Sequence, residues 1–82
     1  MSKSNKPTPD KKIDAKNLLC PLPILRADAA MLDLEIGQTL EIQATDPGLV
    51  NDLPAWCSIN SHKILEMKQQ GRLVIGLVEK GE

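Results

Sequence analysis

A chain of 82 residues with no Phe, no Tyr and a single Trp, Trp56, has to fill its interior with aliphatic side chains. At this length one such core is possible and a second domain is not. Hydrophobic residues make up 41% of the chain and charged residues 26%, so there is enough apolar surface to fold. The same lack of aromatics argues against direct nucleic-acid binding, because base stacking in RNA-recognition sheets and single-strand grooves uses aromatic faces. Charge points the same way. Residues 1–12 carry four Lys and Asp10, a net of +3, which leaves −4 on residues 13–82, where phosphate binding would need a basic cluster. The longest apolar run, Leu18 to Leu25, contains two prolines and is far shorter than the ~18 residues of a membrane span. Met1-Ser2-Lys3 leads into more polar residues and never into the apolar stretch of a secretory signal. A cytoplasmic protein without membrane association is expected.

Residues 1–12, MSKSNKPTPDKK, are polar, Lys-rich and interrupted by Pro7 and Pro9, the composition of a flexible basic tail. Residues 13–82 then form the one domain. Ile13 to Ala15 suits a short strand, and Asn17 supplies a residue that tolerates positive φ before Leu18-Leu19. From Pro23, the apolar positions Ile24, Ala27, Met31 and Leu34 follow one helical face. After Gly37, Thr39 to Ala44 alternates with period two, as a half-buried strand does. Asp46-Pro47 reads as an N-cap followed by proline at the first helical position, opening a second helix with Val50, Leu53 and Cys57 on one side and Leu49 and Trp56 beside them. Pro54 removes an interior hydrogen bond, so that helix either kinks there or restarts with Asp52 as a cap. Asn60-Ser61 closes it. Lys63 to Met67 and Leu73 to Val78 read as strands joined across Gln69-Gln70-Gly71. The order β-α-β-α-β-β predicts an α/β two-layer sandwich, two helices packed on one face of a four-stranded mixed sheet.

Cys20-Pro21-Leu22-Pro23 is where chemistry can sit. A residue before proline is pushed out of helical backbone, while Pro21 and Pro23 suit a first helical turn, so the sulfur of Cys20 is expected at a helix N-terminus. There the dipole favours a thiolate and lowers its pKa. The two prolines delete two N–H donors and leave only Leu22 and Ile24 near the sulfur. On these grounds alone a reactive Cys20 and a small buried apolar Cys20 fit equally well.

The run Asp14 to Pro23, with Arg26 six residues after the cysteine, resembles the signature of the TusA/SirA-like sulfur-carrier proteins. Gly37, Ala44-Thr45-Asp46-Pro47-Gly48, Asp52-Leu53-Pro54 and His62 follow in that family's order, and the resemblance covers Ile13 to Lys80. Asn17 and Ser61 stand where the family often has glycine; Asn17 keeps positive φ accessible, and Asn60 is expected to supply the second turn. The resemblance implies that Cys20 accepts sulfane sulfur as a persulfide from a cysteine desulfurase or rhodanese-like donor and hands it to an acceptor in tRNA thiolation, sulfur oxidation or cofactor assembly. It implies a stoichiometric relay in which Cys20 is the catalytic residue, supported by Pro21, Pro23 and Arg26. No cofactor or metal is expected, and a monomer suits a protein that docks two partners in turn.

The other candidates have plain structural readings. Cys57 lies at helical spacing with Val50 and Leu53, as a core residue would, and a resolving thiol is the alternative. A metal site from Cys20, Cys57 and His62 lacks a Cys-x-x-Cys pair and a fourth ligand. His62 suits turn packing better than acid–base work. Arg26 fits a solvated helix face as well as a contact to a persulfide or an acidic partner. A regulatory module with a structural Cys20, and a redox protein cycling a Cys20–Cys57 disulfide, remain the alternatives to the carrier.

Overall fold

A computed structural model describes residues 9–19 and 21–81. Its elements are β1 (Lys11–Ala15), α1 (Leu22–Met31), β2 (Thr39–Ala44), α2 (Leu49–Ile59), β3 (Lys63–Gln70) and β4 (Leu73–Glu79). The strands form one sheet in the order β1-β2-β4-β3, with β1 and β2 parallel and the other neighbours antiparallel. This is the expected mixed sheet with both helices on one side.

Alternation decides which side is covered. Leu40, Ile42 and Ala44 of β2 are buried, and their partners Val78, Gly76 and Val74 on β4 face the same way. Ile13 and Ala15 of β1 extend that layer. Ala27, Ala30 and Met31 from α1 and Leu49, Leu53, Trp56 and Cys57 from α2 close over it, giving the aliphatic core with one aromatic side chain. Gly76 lets α2 approach closely: a Cβ there would lie 2.5 Å from Leu53 Cδ2.

Several boundaries differ from the sequence reading. β1 begins at Lys11, because Lys11 and Lys12 pair with Leu40 and Glu41 and Asp10 N–H donates to the Thr39 carbonyl at 3.1 Å. Lysines suit this place, since β1 is an edge strand. Residues 10–12 therefore belong to the domain, while residues 1–8 of the expected tail lie outside the described residues. α1 ends at Met31, so Leu34 is buried from a loop; Lys80 Nζ holds that turn by donating to the Met31 and Leu34 carbonyls at 2.7 and 2.6 Å. α2 starts at Leu49 with Gly48 as N-cap, and Asp46 accepts the Gly48 N–H at 3.0 Å in the turn before it. The helix continues through Pro54 without a second start at Asp52. Leu49 and Trp56, expected beside the stripe, are buried with Leu53 and Cys57, while Val50 is only half-buried.

At the end of α2 the left-handed residue is Ser61, with φ 63°, whereas Asn60 has φ −102°. His62 N–H donates to the Cys57 carbonyl at 2.8 Å, the six-to-one bond of a Schellman ending. β3 runs on past the expected Met67 to a two-residue loop in which Gly71 takes φ 60°, and β4 runs one residue past Val78.

Candidate functional site

β1, β2 and β3 run in the same direction, so the loops that leave β1 and β2 emerge at one end of the sheet together with the β3–β4 hairpin. The last helix-side rung at this end is Ala15, Ala44, Val74 and Gln69, mostly small side chains. Beyond it the β1–α1 loop is held by local bonds. Lys16 N–H donates to Asp14 Oδ1 at 3.0 Å, Asn17 takes φ 66°, as its residue type allows, and Asn17 N–H donates to Thr45 Oγ1 at 2.9 Å. The chain then turns through Leu19 into α1.

Cys20 lies outside the described residues. Its two neighbours and the first turn of α1 are described. Pro21 is the N-cap, without a side-chain cap bond, and Pro23 at the second helical position is buried and anchors the turn. Leu22 N–H donates to the Leu19 carbonyl at 2.8 Å, so one of the two expected first-turn donors is already committed. Leu19, Leu22 and Leu25 are exposed at 73%, 47% and 54%, a run of bare aliphatic side chains on both sides of position 20. Arg26 is exposed on α1 without a hydrogen-bond or ion-pair partner among the described residues. Beside this loop is a cavity of about 670 Å³ lined by Asn17, Leu19, Thr45, Pro47, Gln69 and Arg72, contributed by three separate connections.

Cys57 and His62 are not part of this end. His62 precedes β3 and therefore sits at the opposite end of the sheet from the β1–α1 loop. Its Nδ1 accepts the Gly81 N–H at 3.0 Å, and its ring centroid is 4.9 Å from that of Trp56, whose Nε1 donates to Asp28 Oδ1 at 2.8 Å. Burial and then the Lys80 charge push the His62 pKa down, against Asp28. Cys57 lies in the last turns of α2, about 12 Å along the helix from Leu49 at the loop end. It is buried and free, and burial pushes its thiol up to about 11. Both residues thus follow their packing readings. Among the described residues no three His, Cys, Asp or Glu side chains gather as a metal site, and no helix is long and apolar enough to cross a membrane. Arg72 was not singled out by the sequence, where it is only a cation after a turn glycine; its closeness to Leu19 exists only once the hairpin folds to the same end.

The chain is 47% identical to YrkI of Bacillus subtilis (strain 168) over 72 residues, 88% of this chain and 96% of that protein. It is 39% identical to the sulfur carrier protein TusA of Allochromatium vinosum over 71 residues, 87% of this chain and 93% of that one. The crystal structure of a SirA-like protein from Desulfitobacterium hafniense shares the fold with a TM-score of 0.75 at 22% identity, covering 88% of this chain and 99% of that one. The family model described as sulfurtransferase TusA matches residues 11–80, all six elements from the first strand to the last, and the chain belongs to the TusA family of sulfur carriers.

Proposed function

We propose that Cys20 carries sulfane sulfur as a persulfide, loaded by a cysteine desulfurase or rhodanese-like donor and unloaded onto an acceptor protein. The observation that supports this most is the bare aliphatic run of Leu19, Leu22 and Leu25 on either side of position 20, at the start of a ten-residue helix. A relay cysteine must be reached by another protein's sulfur, and exposed apolar side chains at that spot suit transient docking. In the transfer, the Cys20 thiolate attacks the outer sulfur of the donor persulfide. A new S–S bond forms to Cys20, the donor's own S–S bond breaks, and the donor cysteine leaves as a thiolate. The hydrogen of the terminal SH travels with the sulfur, so no external oxidant or reductant takes part. The helix dipole favours the attacking thiolate. Pro21 and Pro23 set the helix start, and Arg26 adds positive charge one turn along.

This reading places the relay in the cytoplasm, as a monomer that meets donor and acceptor in turn; tRNA thiolation, sulfur oxidation and cofactor assembly are the acceptor routes it suits. A disulfide cycle with Cys57 is disfavoured by that thiol's burial near the far end of α2. The test is intact mass after incubation with a cysteine desulfurase and cysteine. One added sulfur, located on the Cys20 peptide and absent in Cys20→Ser, is the expected result. No gain in mass, or a gain that persists in folded Cys20→Ser, overturns the reading.

A further inference from the structure

The 670 Å³ cavity next to Leu19 has a chemical character of its own. Its polar lining offers the amides of Asn17 and Gln69, the hydroxyl of Thr45 and the guanidinium of Arg72, while Leu19 and Pro47 form an apolar wall. Among the described residues, four other cations are engaged: Lys11 with Asp33, Lys16 with Asp14, Lys68 with Glu66, and Lys80 with two carbonyls. Arg72 is exposed and has no hydrogen-bond or ion-pair partner among the described residues. The acid in the neighbouring turn, Asp46, accepts the Gly48 N–H and does not line the cavity. A concave surface with several donors, one open guanidinium and no carboxylate among its described lining residues complements a carboxylate, which a guanidinium can hold through two parallel bonds. The apolar wall suits the side chain next to that carboxylate.

We propose that this cavity docks an acidic loop of a protein that exchanges sulfur with the chain, with Arg72 pairing the loop's Asp or Glu. The inference rests on the sulfur-carrier reading for the identity of the partner. The cavity lies against the residue that precedes Cys20, so a loop seated there is delivered beside the cysteine, and specificity is read by a hairpin remote from it in sequence. The charge at Arg72 also makes the encounter sensitive to salt.

The test uses two synthetic peptides of one sequence around a central cysteine, one with flanking Asp and Glu and the other with Asn and Gln, titrated into the full-length protein. Amide chemical shifts are followed by NMR. The acidic peptide is expected to move Asn17, Thr45, Gln69 and Arg72, to bind about five-fold more tightly than its neutral counterpart, and to lose that advantage in Arg72→Glu and at high salt. Equal binding of the two peptides, or an acidic preference that survives Arg72→Glu, overturns the docking proposal whether or not Cys20 carries sulfur. Loading by inorganic polysulfide is measured in parallel on the unaltered chain. Failure of Cys20 to gain sulfur there overturns the carrier reading and with it the partner's identity, even when the peptide binds.

Discussion

Ser61 and Asn17 hold nearly the same left-handed backbone, φ 63° and 66°, with different chemistry. Asparagine enters this region readily, whereas serine gains little there and bears the steric penalty of an L side chain, about 1 kcal/mol. Ser61→Gly is therefore expected to raise stability by about 1 kcal/mol in urea unfolding, and Asn60→Gly, at φ −102°, to bring no such gain. The two cysteines differ in the same local way. With its thiol pushed up to about 11 and its side chain packed in the core, Cys57 should resist iodoacetamide at pH 8 while Cys20 is alkylated, as peptide masses will show. Labelling of Cys57 first would contradict the assignment. Cys57→Ala should lower stability by about 1 kcal/mol and leave sulfur loading intact.

The contact between α2 and β4 depends on Gly76. A methyl group there meets Leu53 Cδ2 at 2.5 Å, so Gly76→Ala is expected to lower stability by about 1–3 kcal/mol. In a double-mutant cycle measured by urea unfolding, Leu53→Ala should make that substitution less harmful. The elements most legible in the sequence were those with one unambiguous period. Thr39 to Ala44 alternates cleanly because one face is core and the other is not. Lys11 and Lys12 were hidden because charge alone resembles a tail, and only pairing with β2 makes them a strand. Pro54 reads as a breaker in isolation, but its exposed position within α2 and the burial of Leu53, Trp56 and Cys57 around it keep the helix whole. Leu34 fits the helical stripe yet is buried from a loop, since the Lys80 ammonium that ends α1 comes from 46 residues away.

Across the molecule, the two ends of the sheet have separate tasks. One gathers the β1–α1 loop, the β2–α2 turn and the hairpin around the cavity; the other ties α1, α2 and the last residues together through Lys80, Trp56 and His62. The cysteine and its prolines are contiguous and so were readable, whereas Arg72 comes beside Leu19 only through topology. Acid should act at the tied end. His62 accepts the Gly81 N–H at Nδ1, and protonation turns that acceptor into a donor. Its folded pKa lies below the ordinary 6.5, through burial and Lys80 against Asp28, so the unfolded chain binds the proton more readily. Its contribution to stability is complete above 6.5 and is lost as pH falls through the folded value. The urea midpoint should hold between pH 8 and 7 and drop below the ordinary imidazole value, with a smaller drop in His62→Asn. A midpoint insensitive to pH in that window would show the contact to be idle.

The place of Trp56 also decides what light can report. It is the only aromatic side chain in the sequence, and it is fixed against His62 and Asp28 at the tied end. Intrinsic emission therefore monitors unfolding and the protonation of His62, whose imidazolium is an efficient quencher at such range, with no second fluorophore to confuse the signal. The end that carries the β1–α1 loop is dark by the same token: a change at position 20 leaves Trp56 emission untouched unless a reporter is introduced there.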